Sequence, residues 1–517
     1  MKVVQRTRSM NKALHPTPLD TGTAVAKRAK SIGAVDVLIV GAGLSGVAAA
    51  FHLQQQCPAK SFAILERMQS FGGTWLSHNY PGIRSDSDLH TFGYRFKPWR
   101  GVPIATAEEI RRYMAEVIDD NQIDRHIFYH QEIVAASWCA RARRWLVSVR
   151  DLEHDECFTL EAGFLWMCSG YYKHRSGYQP QWPGMGEFQG QMVHAEAWPE
   201  ALDYSGKRVI VIGSGAAAAT MIPAIAKTAK HVTMLQRSPT YFITGRNIHE
   251  LVQMLRELEI PPEWIHEIAR RKILKDQAHF SARCLQEPAV VREELLAGVR
   301  AQIGEHVDVD KHFAPAYRPW QQRIAFIPDG DLFAAMREQK ACVVTDDIES
   351  FTPEGIRLKS GQHLQAELIV SATGFDLNVL GDIAFDVDGR ALDFSQCITH
   401  LGAMFTGLPN LIWVFGYFRA SWTLRADLLG DYVCRLLRHM DANRFATVVP
   451  KLREHEATMP LQPWVSADNF NPGYLKRSLH KLPKQGSHLP WLHTQDYWLD
   501  KDLLPTYDWG DGSLEFT

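Results

Sequence analysis

The chain has 517 residues, 46% of them apolar and 22% charged, with a net charge of −2 at pH 7. That length predicts two or three domains, and the near-neutral balance excludes a global field that would draw nucleic acid or acidic lipid. No run reaches the roughly 18 apolar residues needed to span a bilayer, and the eight cysteines are scattered with no CxxC pair, which argues against a zinc site or a disulfide framework and fits a reducing, cytoplasmic setting.

Residues 1–34 carry Lys2, Arg6, Arg8, Lys12, Lys27, Arg28 and Lys30 against one acid, Asp20. They lack the apolar core of a secretory signal and read as a flexible basic extension. A transit peptide or a nucleic-acid arm is the alternative. The first patterned element is the apolar run Val35–Val40, a strand, which stops at Gly41. An Ala/Leu-rich helix follows over Leu44–Gln56, then a second strand over Ser61–Leu65, closed by Glu66. This is a β-α-β unit and implies a parallel sheet. Gly41-Ala42-Gly43-Leu44-Ser45-Gly46 is GxGxxG set between strand and helix. Its glycines allow a tight turn, close approach of a pyrophosphate and helix–strand packing, and the helix N-terminus favours phosphate. Glu66, twenty-five residues beyond Gly41, stands where an acid accepts hydrogen bonds from a ribose.

The same grammar returns in the strand Arg208–Ile212, a turn and helix from Gly213, and the strand His231–Leu235. Gly213-Ser214-Gly215-Ala216-Ala217-Ala218 is GxGxxA, and the second strand ends in Gln236-Arg237-Ser238 with no acid. Arg237 would pair with a 2′-phosphate that an acid would repel, so this unit should take NADPH. Residues from about 245 to 310 show apolar residues at helical spacing, as in Leu251, Leu255 and Leu258, and predict a helical insertion. The expected layout is a first part of a flavin unit over 35–150, an NADP unit over 151–375 and a return to the first unit over 376–517. The Pro-, Trp- and His-rich tail from Asn471 is expected to wrap over the surface. Two nucleotide units suit hydride transfer from a transient NADPH to a resident FAD. Without a redox cysteine pair, the electrons should go to something other than a disulfide.

Between the units, Phe188, Gly190, His194 and Trp198-Pro199 read FxGxxxHxxxWP. Alone, His194 is a linker histidine satisfied by backbone. The motif resembles the fingerprint of the Baeyer–Villiger flavin monooxygenases, in which this histidine is a hinge residue rather than an acid or base. Further segments agree: Phe71-Gly72-Gly73-Thr74-Trp75 is similar to a stretch that lies against the flavin there, and Tyr80–Asp86 and Ser371–Phe375 are similar to others. Ser85-Asp86-Ser87-Asp88 and Gln236–Thr240 are nearest the ethionamide-activating branch. The resemblance covers nearly everything after residue 34.

It implies an α/β fold of two Rossmann-like domains with parallel sheets, FAD and NADPH as cofactors, and O2 as co-substrate. It also implies Gly73, Thr74, Trp75, Leu76, Arg84, Ser85, Asp86 and Ile133 as further cofactor contacts. Ketones would become esters or lactones through a C4a-peroxyflavin kept anionic by a fixed arginine. By position that arginine is Arg323 in Trp320–Ile324, oriented by Asp86. Read alone, Arg323 is a surface ion-pair residue and Asp86 a cap or turn residue. Where many members have a lysine before the arginine, this chain has Gln322, which puts NADPH selectivity on Arg237 and Ser238. Sulfides or thioamides would be side substrates. An N- or S-oxygenating flavin monooxygenase, or a binding protein on a decayed oxidoreductase fold, is the alternative, and the oligomeric state is left open. The aromatic run Trp413, Phe415, Tyr417, Phe418 and Trp422 is either core or substrate wall.

Overall fold

The computed structural model describes residues 29–173 and 176–517. Most of the basic extension, residues 1–28, lies outside the described residues; Ala29–Ser31 is a 3-10 turn that leads into the first strand. That strand, Ala34–Val40, pairs in parallel with Phe62–Leu65 on one side and with Glu156–Met167 on the other. Its last four residues are all buried, because a parallel sheet is covered on both faces and its strands are therefore continuously apolar. The helix Leu44–Gln56 makes the crossover.

The sheet then changes character. Arg144–Asp151 runs antiparallel to both of its neighbours, Gln131–Cys139 and Glu156–Met167. Ala384–Val387 and Leu411–Trp413 return from late in the chain to pair with Gln131–Cys139 and Glu156–Met167. The first sheet is thus mixed, with nine strands among the described residues: parallel around its Gly-rich turn and where the late strands join, antiparallel between. Glu156–Met167, expected within the 151–375 unit, is a central strand of this sheet and half of a hairpin. Its alternation of buried and exposed residues carries no sign of which sheet it joins.

The second sheet has five parallel strands in the order Ala341–Thr345, His231–Gln236, Arg208–Ile212, Leu368–Ser371, Gln191–His194. Helices Glu250–Glu257, Pro262–Gln286, Pro288–Ile303 and Val309–His312 follow the strand Phe242–Gly245. The longest of them is fastened to the first unit. The buried Arg270 guanidinium donates to the carbonyls of His90, Thr91 and Gly93 at 3.2, 3.2 and 3.0 Å, which satisfies carbonyls at the end of the short helix Leu89–Phe92.

The tail from Asn471 also enters the core. Trp491, Leu504 and Leu514 are buried, and the last strand, Leu514–Phe516, pairs with Val448–Pro450. Leu504 and Leu514 pack with Val37, Ile39 and Trp166 on one face of the first sheet, a role that high Pro and Trp content did not announce. Among the described residues no helix is long and apolar enough to cross a membrane.

Candidate active site

Both Gly-rich turns open into one cavity of about 1220 Å³, larger than the roughly 300–1,000 Å³ usual for a single small ligand. The turns obey the same sterics. Gly41 and Gly213 have φ of +100° and +135°, and a Cβ on either would lie 2.9 and 2.4 Å from the carbonyl oxygens of Cys168 and Ala372. Only glycine fits such a conformation and approach. The helices that follow, Leu44–Gln56 and Ala216–Ile225, begin at Gly43 and Gly215 without a side-chain cap, so their first N–H groups face the cavity with the positive end of each helix dipole. A Cβ on Gly215 would meet nothing within 4 Å. Two anion-binding turns on one large cavity fit two dinucleotides.

The Glu66 carboxylate is buried at the cavity edge and accepts from the backbone N–H groups of Ala42 and Met68 at 2.7 and 2.8 Å. These bonds lock the acid beside the turn. Trp422, arriving from the returning segment, donates its indole N–H to the Ser45 hydroxyl at 2.8 Å and so holds the far wall to the same turn.

Arg323 and Asp86 meet on the cavity wall. Nε and Nη2 of the arginine donate to Oδ2 and Oδ1 of the aspartate at 2.6 and 2.7 Å, a two-point fork. The pair is partly buried, with 39% and 24% of the two side-chain surfaces exposed, and both residues line the cavity. The Asp86 charge, opposed by burial, holds the guanidinium proton even more firmly than usual. Burial raises the Asp86 carboxyl, but the Arg323 charge and hydrogen bonds together outweigh it and hold the group below its ordinary range. Both partners are therefore ionised at any physiological pH. Tyr171, Tyr172 and Tyr474 line the same region, and burial pushes all three phenols up, so they act as neutral hydrogen-bonding groups.

Of the residues expected from sequence, Gly41, Gly43, Ser45, Glu66, Gly73, Thr74, Trp75, Arg84, Ser85, Asp86, Ile133, His194, Gly213, Ser214, Gly215, Ala216, Ala217, Arg237, Ser238 and Arg323 line the cavity. Others sit behind it. A Cβ on Gly46 would lie 1.9 Å from the Gly41 carbonyl oxygen, so Gly46 serves helix–strand packing. Leu76 packs against Gly72, Ala218 is in the core, and Phe188 and Trp198 belong to the apolar packing of the second unit. Gly190 is wedged between the Phe188 ring and the Glu367 carbonyl. The Arg84 guanidinium turns to Asp331, with bonds of 2.5 and 3.1 Å that tie the two units together. His194 packs edge-on to Gly177, where a Cβ would sit 2.0 Å from the ring, and burial keeps the imidazole below its usual range. Phe415, Tyr417, Phe418 and Trp422 are cavity wall, whereas Trp413 is fully buried core. Sequence reasoning missed Tyr171, Tyr172, Tyr474, Asp331 and Glu196. The first two adjoin the Cys168-Ser169-Gly170 turn at the carboxyl end of a first-sheet strand, where ligands gather, and that position was the available signal.

Residues 35–270 match the family described as pyridine nucleotide-disulphide oxidoreductase. The FAD-containing monooxygenase EthA of Mycobacterium tuberculosis (strain ATCC 25618 / H37Rv) is 44% identical over 484 residues, covering 93% of this chain and 97% of that protein. The probable FAD-binding monooxygenase AlmA of Acinetobacter sp is 42% identical over 488 residues, 93% and 96% of the two chains. A steroid monooxygenase bound to NADP superposes with a TM-score of 0.70 at 21% identity, over 93% of this chain and 99% of that one. Cyclohexanone monooxygenase superposes with a TM-score of 0.67 at 19% identity, over 94% and 100%. These two likenesses establish the fold. With relatives this similar over nearly its whole length, the chain belongs to the family of FAD-containing monooxygenases.

Proposed function

We propose that the protein is an FAD- and NADPH-dependent Baeyer–Villiger monooxygenase that converts ketones to esters or lactones with O2, and oxidises sulfides or thioamides as a side activity. The observation that carries this reading is the forked Arg323–Asp86 pair, which lines the same cavity as both nucleotide turns. A bound flavin, reduced by NADPH, would supply oxygen in reactive form. Arg323 would hold a permanent positive charge where negative charge develops on oxygen, and Asp86 would fix the direction of the fork. The first sheet with its late-chain strands is the flavin unit, and the five-stranded sheet is the NADPH unit. The aromatic wall of Phe415, Tyr417, Phe418 and Trp422 suits medium-chain or aryl ketones. The eight unbridged cysteines support a reducing, cytoplasmic setting. A panel of ketones incubated with NADPH and O2, with products identified, tests the proposal. Esters or lactones are expected, and oxidation confined to amines and sulfides would replace it with the N- or S-oxygenating reading.

NADPH selectivity rests on Arg237. The residue is exposed at the cavity rim beside Ser238, while Gln322 turns its amide toward Asn471 at 3.4 Å. Arg237→Ala is expected to weaken NADPH binding by about 1–3 kcal/mol, the scale of charge-assisted bonds, with little effect on NADH. An unchanged ratio of the two Kd values would remove Arg237 from this role.

A further inference from the structure

The carboxyl ends of the five-stranded sheet set the order of groups along one side of the cavity. His231–Gln236 runs into Arg237, Arg208–Ile212 into the Gly213 turn, and Leu368–Ser371 into Ala372-Thr373-Gly374-Phe375. In an open parallel sheet a dinucleotide lies across such strand ends with its pyrophosphate on the glycine turn. Arg237 stands on one side of that turn. The strand end on the other side, Ala372–Phe375, brings no basic residue of its own.

A cation reaches it from late in the chain. Five arginines line the cavity among the described residues. Arg67, Arg84 and Arg323 pair with Glu132, Asp331 and Asp86. Arg237 and Arg477 have no carboxylate within 4.0 Å among the described residues. Arg477 belongs to the tail helix Gly473–Ser478. Its guanidinium carbon lies over the Tyr178 ring, 3.4 Å from the centroid, and Nη2 donates to the Phe375 carbonyl at 3.2 Å. Tyr178 is itself fixed, its N–H donating to the Gly374 carbonyl at 3.0 Å. These contacts hold a charge at the strand end without neutralising it. Nε is enclosed, whereas Nη1 is neither enclosed nor hydrogen-bonded among the described residues. Burial lowers the guanidinium's hold on its proton, and the like charge of Arg237 adds to that against Tyr178 and Asp376. Two unpaired arginines flanking an anion-binding turn suit an anion seated on it.

We propose that Arg477 binds the pyrophosphate of NADPH, so that a nucleotide seated on the five-stranded sheet is also held by the tail of the chain. This rests on the reading of that sheet as the NADPH unit. The test is calorimetric titration of the flavin-loaded protein with NADP⁺, followed by displacement of NADP⁺ with NAD⁺. Arg477→Met keeps the packing on Tyr178 and removes the charge. It is expected to weaken both nucleotides by about tenfold or more, the scale of a charge-assisted bond, and to keep their affinity ratio within about twofold of the parent's. Arg477→Lys should recover part of the loss, since it keeps the charge without the planar fork. Arg237→Ala should instead weaken NADP⁺ and spare NAD⁺. Flavin content should stay at the parent level in every variant. The proposal is overturned if Arg477→Met binds both nucleotides as the parent does, or if only NADP⁺ weakens, which would make Arg477 a second contact to the 2′-phosphate. Loss of flavin from Arg477→Met would also overturn it, by making the residue a structural or flavin contact. A parent protein that binds neither nucleotide would bring down the NADPH reading itself, and this assignment with it.

Discussion

Arg323→Ala is expected to abolish ester formation while NADPH oxidation continues, the reducing equivalents being released as hydrogen peroxide. Loss of one preorganised charge at a developing oxyanion costs on the order of 10²–10³ in kcat, roughly 3–4 kcal/mol. The geometry makes this arginine hard to replace. Its fork is held at 2.6 and 2.7 Å by Asp86, so it needs no reorganisation during reaction. Arg323→Lys keeps a charge but cannot make the two-point contact, and should restore only a fraction of the lost rate. Removing Arg323 also leaves Asp86 as an uncompensated carboxylate, so Asp86→Asn alone should show a smaller defect. The sign of the pH dependence follows from the pair. Asp86 is held below its ordinary 3.8, so its contribution is present above that value and fades as pH falls. Arg323 is held above its already high ordinary range, so its contribution is present throughout the neutral and mildly alkaline range and fades only in strong alkali. The kcat profile should therefore carry no limb from this pair between about pH 5 and 10. Product analysis alongside NADPH consumption measures the effect, and unimpaired ester yield in Arg323→Ala would defeat the mechanism.

Asp500→Ala is expected to cause the largest loss of stability. Arg425 is completely buried and Asp500 nearly so. Nη1 of Arg425 pairs with Asp500 Oδ2, and Nη2 donates to the Leu401 carbonyl at 2.5 Å. Tyr417 donates to the same carboxylate oxygen at 2.6 Å and Thr494 to the other at 2.5 Å. The carboxylate thus joins the helix Trp422–Asn443, the helix Tyr497–Thr506 and the cavity wall. Breaking a buried pair strands the remaining charge and costs about 3–5 kcal/mol. Denaturant titration should show a lower midpoint, and the ketone KM should rise because Tyr417 loses its anchor. The exposed Lys272–Asp276 pair is the control, since breaking it should change little. A parent-like midpoint in Asp500→Ala would show that the network is dispensable.

The parts that could be read from sequence are those where local sterics dictate residue type. A turn that needs left-handed backbone and close approach, as at Gly41 and Gly213, leaves a glycine pattern any chain must show. The helical insertion was visible through its spacing. What depends on distant packing was not. Arg323 and Asp86 are 237 positions apart, and without the family resemblance nothing near either residue announces the other. The Arg84–Asp331 bridge joins residues of ordinary surface type, so it drew no notice, and Arg84 was assigned to a cofactor only by resemblance. The hairpin that places Glu156–Met167 in the first sheet was missed because alternating strands look alike whichever sheet receives them. Glu196 sat unremarked inside a recognised motif because its raised carboxyl comes from burial and from Asp376.

The mixed sheet has a consequence for biosynthesis. Leu411–Trp413 lies beside Leu165–Met167, yet the ribosome makes it about 250 residues later. At roughly 5–20 residues per second, the early strands wait on the order of 10–50 s for their neighbour. The five-stranded sheet, whose strands all lie within Gln191–Ser371, is finished during that interval. Translation therefore favours completion of the inserted unit first, with apolar edges of the outer unit exposed to chaperones until the nascent chain returns.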